Sequence, residues 1–556
     1  MSFRVRSVFL AFAITVIPIV AIAQVIPPAE QPGRERERFT QPPAPQARPT
    51  GPSVTLPSTV APKGAQKVFL QVRNVEIAGS TVYSAEELKP LYADLIGHGV
   101  PLTAVYALAQ RITAKYGKDG YVLSRAVVPP QNLDPKSATI HIRVVEGFID
   151  KVEWPPQLSR YRDFFTNYAA KITTERPANI HTIERYLLLA GDLPGLKFST
   201  ALRPSKTPDA SVLVVQVVEK PVDASAHVDN RGTAARGPFE YYGSATFNNL
   251  LGLHEGVTLT YAGVVPLKEL NYAAANYRQI LTSEGLSVFA NISDAWGTPG
   301  TAQLEQLQYR TLGPYGDVGL SYPVIRSREK NLTLSSLFFA SNSESDVLGS
   351  PFTDDRLRGF RARADGDFAD PLQGVNQVYA IFSQGIEGLG STLNGNPLAS
   401  RAVGTVDFSK IEGYFGHTQP LPANFSAFIA AYGQYAFEPL LVPEQCSFGG
   451  RYFGRAFDPS QILGDSCIEA TGELRYDFRQ LPQQVSQAQL YTFADWGDLY
   501  TLEASPGTTS VTDAASIGSG LRLGWSSHLT ADLSVARGVA GPSEGWRFFF
   551  IVGANY

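Results

Sequence analysis

The residues of this sequence that could do chemistry are few and scattered. Glu473, Arg475 and Asp477 alternate with apolar neighbours, so they project from one side of an extended strand as a row of charge. Carboxylates so placed serve as acid and base in some enzymes. On a strand with one wet face, a solvated wall is the simpler reading. Gly541-Pro542-Ser543-Glu544-Gly545 has the spacing of a hydrolase elbow, but it lies between two extended segments instead of at a strand-to-helix turn. The seven histidines show no metal-ligand spacing, and no phosphate-binding loop is present. The two cysteines, Cys446 and Cys467, are too few for a disulfide scaffold or a cysteine-rich metal centre. No catalytic site, cofactor or metal is expected.

The elements around these residues point to export. Arg4 and Arg6 precede an apolar run over residues 8–20 that closes on Ala21-Ile22-Ala23, which predicts a signal peptide over 1–23. The run falls short of the ~20 apolar residues of a spanning helix. Residues 24–66 hold ten prolines and no apolar period, the texture of a linker. Within it, Arg34-Glu35-Arg36-Glu37-Arg38 could form a short plug helix, although solvated coil is the simpler reading. The formal charge of −4 gives no reason to expect nucleic acid.

From residue 68 a compact α/β texture begins. Residues 68–77 predict a strand, and the capping box at Ser84 and Glu87 opens a helix carrying Leu88, Leu91 and Leu95. Val105, Leu108, Ala109, Ile112 and Tyr116 then share one face of a second helix. Strands over 121–128 and 138–145 complete a βααββ module spanning 68–147. The same order recurs over 148–219, so the architecture repeats.

Beyond residue 220 the helical period disappears. Leu286, Val288, Ala290 and Ile292 oppose Ser287, Phe289, Asn291 and Ser293. Ile517, Leu521, Leu523 and Trp525 likewise oppose Ser516, Gly518, Gly520 and Arg522. Strands with one face for lipid and one for a wet lumen, about sixteen of them, predict a transmembrane β-barrel over 220–556. The composition agrees: Tyr 25 and Phe 31 against Met 1, with Gly 49 and 18% charged residues. The last strand ends on Tyr556 with Phe548, Phe550, Val552 and Ala554 on its lipid side.

Several segments resemble the two-partner secretion transporters, the outer-membrane components that export haemolysins and filamentous adhesins. Residues 116–147, with their GYV, PPQ and VVEG elements, are similar to the end of that family's first polypeptide-transport-associated (POTRA) domain. Asp229-Asn230-Arg231-Gly232 and Asn249-Leu250-Leu251-Gly252 resemble segments around its first barrel strands. Gly449-Gly450-Arg451-Tyr452-Phe453-Gly454-Arg455-Ala456-Phe457, then Gly464-Asp465 and Glu473-Leu474-Arg475, resemble its sixth surface loop and the following strand. Gly454 stands where the family has Val and Ala456 where it has Gly, so the loop tip is expected to differ in shape. Phe493-Ala494-Asp495-Trp496-Gly497 resembles the family's F-x-D-x-G segment.

The resemblance implies an all-β membrane barrel preceded by two α+β POTRA domains, in the Gram-negative outer membrane with the POTRA domains in the periplasm. It implies a loop latch of Arg455 on Asp495, with Gly449, Gly450 and Phe457 shaping the loop and Glu473 and Arg475 on the lumen wall. A bidentate carboxylate would fix an arginine's position as well as its charge. Cys446 and Cys467 bracket the loop in an oxidising compartment and are expected to be bridged. The implied partners are a secreted exoprotein, large and β-helical, the outer-membrane bilayer, and the barrel-assembly machinery during biogenesis. Two alternatives stay open. A barrel-assembly insertase of the same superfamily usually carries five POTRA domains, and a passive porin would have no use for the modules.

Overall fold

The computed structural model describes residues 26–39, 44–48, 60–503, 508–526, 528–542 and 545–556; the leader expected over 1–23 lies outside them. A short helix, α1 (Glu35–Phe39), is followed by the first module: β1 (Phe69–Ala78), α2 (Ala85–Leu88), β2 (Gly99–Pro101), α3 (Leu102–Lys118), β3 (Arg125–Val127) and β4 (Ala138–Val145). Its sheet runs β2-β1-β4-β3, with β1 and β4 parallel. The apolar face of α3 is buried against Val72, Ile140 and Ile142. The helix opened by Ser84 stops at Leu88, because Pro90 cannot donate to a continuing turn, and a 3₁₀ turn over Lys89–Leu91 takes its place. The strand expected over 121–128 shrinks to β3, and β2 was not legible because three residues carry no period.

The second module has β5 (Phe148–Glu153), α4 (Arg162–Thr174), α5 (Ile180–Gly191), β6 (Leu196–Pro204) and β7 (Ala210–Glu219), in the sheet order β5-β7-β6. It sits on the periplasmic turns of the barrel. Ile280 of the barrel joins its core, His254 stacks on Tyr161 at 4.9 Å, and Arg326 makes a bidentate pair with Asp192 at 2.7 and 2.8 Å.

The barrel follows: β8 (Val222–Asp229), β9 (Phe239–Asn248), β10 (Glu255–Val265), β11 (Asn271–Ile280), β12 (Ser287–Gly297), the short β13 (Arg310–Leu312), β14 (Tyr315–Arg326), β15 (Lys330–Val347), β16 (Ser350–Ala369), β17 (Val375–Gly385), β18 (Ser409–Pro420) and β19 (Phe425–Ala436). After an inner hairpin of β20 (Cys446–Phe448) and β21 (Ile462–Gly464) come β22 (Ser466–Asp477), β23 (Val485–Leu502), β24 (Thr509–Trp525), β25 (Leu529–Ala540) and β26 (Gly545–Asn555). Apart from β13, β20 and β21, these sixteen strands pair with their neighbours in antiparallel order and close through β26 on β8. At that seam Asn230 extends the ladder with its side chain, accepting from the Phe550 N–H and donating to the Phe548 carbonyl, each at 2.8 Å. Ile292, Leu320, Phe360, Ile429 and Phe548 stand exposed on the outer face, as a lipid-facing band requires.

Residues 26–39 are not a solvated linker. Most of their described side chains are buried inside the barrel, with Arg34 and Glu35 almost inaccessible, while Pro27 and Pro28 are exposed. Ile26 packs with Ala235, Leu304, Tyr309 and Val347 at the surface end, whereas the Arg48 N–H reaches the Arg328 carbonyl at the periplasmic end. Of the alternating charges that looked solvated in sequence, Glu35 pairs with Arg236 of the barrel, Arg34 donates to carbonyls of the sixth loop, Arg36 lies over the Tyr315 ring, and Arg38 pairs with Glu30 of its own segment.

Two outcomes follow from this architecture. Glu146, at the end of the first module, accepts hydrogen bonds from the Thr81 and Val82 amides, the Thr81 hydroxyl and the Tyr116 hydroxyl at 2.5–3.2 Å. Burial works against its charge, but these donors outweigh burial and hold its carboxyl below the usual range. The stabilisation is therefore complete above the ordinary glutamate range and is lost as pH falls through the lowered value. Glu146→Ala is expected to cost about 1–2 kcal/mol and to speed amide exchange over residues 80–83 in the full-length protein at neutral pH. Unchanged exchange would refute the role. The second outcome concerns Cys446 and Cys467, which are bonded across a sequence separation of 21. On the chain-entropy account this closure limits the loop's open states by roughly 3 kcal/mol. Thiol labelling of the unreduced, denatured protein is expected to find no free cysteine; two labelled thiols would disprove the bridge.

Candidate functional site in the barrel lumen

The sixth surface loop, residues 437–465, folds back into the barrel instead of standing in solvent. Its β20–β21 hairpin is tied to β22 by the Cys446–Cys467 bridge and carries a small core of its own, in which Phe448 and Phe457 lie 5.7 Å apart. Two glycines make the tip possible. Gly449 (φ +120°) lies against the Asp458 carbonyl, and Gly454 (φ +71°) lies against the Phe448 ring where any Cβ would collide. Ala456 does not have a positive φ, so the conformational freedom expected at 456 is used at 454.

This geometry delivers Arg455 to the wall of β22 and β23, where it is buried. Its backbone N–H donates to Asp495 Oδ2 at 2.9 Å, its Nη2 to Asp495 Oδ1 at 2.7 Å, and its Nε to both oxygens at 3.2 Å. Nη1 donates to Glu473 Oε1, Nη2 also to Thr471 Oγ1 at 2.8 Å, and the guanidinium lies 3.6 Å over the Phe493 ring. Asp495 is further held by the Thr471 hydroxyl at 2.7 Å and the Ser516 hydroxyl at 2.8 Å. Glu473 is not part of a solvated wall. Besides Arg455 it accepts from Arg475 at 2.7 Å and from Arg522 at 3.2 Å. Three arginines thus converge on one carboxylate, which offsets much of the cost of burying it.

Other contacts of the loop involve residues whose roles were not legible in the sequence. Arg231, within the Asp229-Asn230-Arg231-Gly232 segment, donates to the carbonyls of Gly450 (3.2 Å) and Arg455 (3.3 Å). Arg451 pairs with Asp229 and, at 3.4 Å, with Glu240; Arg547 of β26 reaches the Ala456 carbonyl at 3.1 Å and Asp458 at 2.6 Å. At the loop base, Asp465 accepts from Arg401 at 2.5 Å and from the amides of Leu440 and Leu502 at 2.9 and 2.7 Å. Period-two placement on an inward face was an available signal only for Asp229, Glu240 and Arg547, and it does not say which pairs meet; Arg231, Arg451, Arg401, Asp458 and Asp465 lie in loops, where no such period exists.

The α1 segment fills a second part of the lumen. Arg236, fully buried in the first surface loop, binds Glu30 at 2.5 Å, Glu35 at 2.9 Å and Thr311 Oγ1 at 2.9 Å. Phe39 stacks on Tyr272 at 5.2 Å, Arg36 lies 3.6 Å over Tyr315, and Arg34 donates to the Gln445 carbonyl of the sixth loop at 2.8 Å. Among the described residues, the α1 segment and the sixth loop therefore both occupy the lumen, each meeting the wall through charged and aromatic side chains.

Residues 70–147 match the ShlB-type POTRA domain, and residues 209–523 match the haemolysin secretion/activation protein family ShlB/FhaC/HecB. The outer membrane transporter CdiB of Escherichia coli is 22% identical over 469 residues, which covers 78% of this chain and 73% of that protein. The heme/hemopexin transporter protein HuxB of Haemophilus influenzae is 21% identical over 470 residues, 81% of this chain and 80% of that protein. The fold is similar to CdiB from E. coli, with a TM-score of 0.70 at 19% identity over 90% of this chain and 94% of that one. CdiB from Acinetobacter baumannii gives 0.60 at 15% identity over 94% and 95%. With more than half of its length matched to one family, this chain belongs to the haemolysin secretion/activation proteins, and it is an outer-membrane transporter that secretes a partner protein through its barrel, with its POTRA domains in the periplasm.

Proposed function

We propose that residues 1–23 are a cleaved leader, that 68–147 and 148–219 are separate recognition modules, and that they catch an unfolded exoprotein in the periplasm before it enters the barrel. Strand addition at a free sheet edge suits this task, since it binds backbone in preference to side chains. β6 forms such an edge and is exposed along most of its length. The cargo is a large β-helical protein whose folding outside prevents return, so no nucleotide is spent. The barrel-assembly machinery inserts the transporter itself.

The observation that carries this reading is how the lumen is filled. The α1 segment and the tip of the sixth loop are attached to the wall through side chains, not through the barrel's strand ladder, so both can shift while the wall stays closed, with the Cys446–Cys467 bridge tethering the hairpin to β22. The continuous β26–β8 seam favours passage through the lumen over lateral release into lipid. In this reading Arg455 and Asp495 latch the loop, Gly449, Gly450 and Phe457 shape it, and Glu473 with Arg475 forms the acid-base floor beneath it.

Co-expression with a candidate large exoprotein encoded beside this chain, followed by assay of the medium with and without the transporter, tests export directly. Deleting residues 68–147 is expected to abolish secretion while leaving a heat-modifiable barrel in the outer membrane, since module and barrel have separate cores. Normal secretion after the deletion would remove the recognition role.

The latch has its own test. Losing one partner of a buried pair costs about 3–5 kcal/mol, but here Asp495 keeps two hydroxyl donors and Glu473 keeps two arginines. Arg455→Ala and Asp495→Ala are therefore expected to insert normally, export poorly and conduct abnormally in planar bilayers. Arg455→Lys is also impaired, because an ammonium lacks the planar fork. If the effects of the two alanine variants simply add in the double mutant, the residues are uncoupled and the latch is wrong.

A further inference from the structure

The inner wall is shared unevenly. The α1 segment covers the side formed by β11 to β15, where it meets Tyr272 and Tyr315, and the tip of the sixth loop covers the side from β22 round to β8. Two cavities border the wall between them, β16 to β19. One of about 620 Å³ reaches the periplasmic strand ends at Val375, Thr418 and Asn555, touches Ala44 and Pro45 of the N-terminal segment, and extends from β17–β19 round β22 to β26 and β8 beneath the loop tip. The other, of about 440 Å³, lies toward the surface, beside Arg361, Lys410 and Gln434. They share Tyr414, Phe428, Tyr452 and Thr471 as lining.

That wall is built of flat groups. Tyr379 stacks on Tyr414 at 5.3 Å, Arg363 lies 4.5 Å over Tyr379, and Arg475 lies 4.5 Å over Phe428. Rings and guanidinium planes bind peptide planes and apolar side chains without regard to sequence. Such a surface fits an extended polypeptide that must keep sliding.

The upper cavity ends under a ceiling. Pro443 and Glu444 of the 3₁₀ turn Val442–Glu444, with Gln445, line its top. Two sets of contacts hold this turn. Glu444 is buried and accepts from Arg361 Nη2 at 2.6 and 2.9 Å, and Lys410 Nζ reaches its carboxylate and its carbonyl, each at 2.9 Å. Arg34 of the α1 segment donates to the carbonyls of Val442 at 3.4 Å and Gln445 at 2.8 Å. Gly33 lies against Pro443, where a side chain would collide.

We propose that the β16–β19 wall is the path of the transported polypeptide and that the 442–445 turn is its exit gate, keyed by Glu444 to Arg361 and Lys410 and locked by Arg34. This rests on the export reading above and deepens it. Withdrawal of the α1 segment removes the Arg34 bonds, so leaving the plug position and loosening the ceiling are one event. The Glu444 cluster then decides how readily the turn swings aside. The gate is distinct from the Arg455 contacts, which hold the tip of the loop and not its ceiling turn.

The test uses the full-length protein in planar bilayers with potassium chloride, after heat-modifiability has shown each variant to be folded. Glu444→Gln keeps the shape and removes the charge, and it is expected to raise the frequency of open events several-fold, further with Arg34→Ala. Exchanging the charges in Glu444→Arg/Arg361→Glu is expected to return the channel toward the closed behaviour of the parent. Open frequency at the parent level in Glu444→Gln, both alone and with Arg34→Ala, overturns the gate. For the path, the bridged native cysteines leave a single introduced thiol reactive. A methanethiosulfonate reagent is expected to reduce the Glu444→Gln current strongly at Tyr414→Cys and weakly at Ala274→Cys on the covered wall. Equal or greater loss at Ala274→Cys overturns the path. Neither current requires cargo, so failure of the export reading would appear separately, as partner protein retained in the periplasm by a channel that gates as described.

Discussion

Closing sixteen strands in a bilayer turns alternate side chains to lipid and to a narrow lumen, and charges on the inner row must then find partners within a few ångströms. Water is scarce between the wall and the elements that fill it, so an unpaired charge there is costly. This requirement organises the molecule. Arg455 meets Asp495 and Glu473, Arg236 meets Glu30 and Glu35, and Glu444 meets Arg361 and Lys410. In each case one partner belongs to the wall or a short loop, and the other to a segment that enters the lumen from outside the ladder.

The sixth loop meets the requirement because it behaves as a small folded unit. Its hairpin and the Phe448–Phe457 contact give it internal structure, and the disulfide to Cys467 anchors that unit to β22. A flexible loop could carry the same arginine but would have to be ordered each time it docked, at an entropic cost for every residue fixed. Gly454 allows the chain to turn over Phe448, so the departure from the family's usual residue is compensated within the tip itself.

The division between ladder and side-chain attachment also explains how a closed barrel can export a protein. Backbone pairing seals the wall and the β26–β8 seam, whereas side chains attach the plug segment and the loop tip, so in the proposed export cycle these contacts can be exchanged for others without unsealing the wall. The second module is clasped to periplasmic turns through Arg326–Asp192, beside Arg328, whose carbonyl holds the end of the plug segment. Recognition, plug and pore thus meet at one turn.

By itself the sequence determined the classes of structure. Period two over residues 220–556 made the barrel legible, since the lipid-facing row must be apolar whatever the loops do. The face of α3 and the capping box at Ser84 made the modules legible, because local burial and capping leave local signatures. The motif around Arg455 pointed to Asp495 through resemblance. Only the tertiary structure decided the rest. Helix α1 looked solvated because its charges alternate, and nothing local says that Arg236, two hundred residues away, will pair with Glu35. Glu473 looked like pore wall because a strand pattern reports which face a residue takes but not what enters the lumen opposite it. Arg231, Arg451 and Glu444 were hidden for the same reason. Their partners are set by where a loop and a plug come to rest inside a closed cylinder, and that depends on the closure itself.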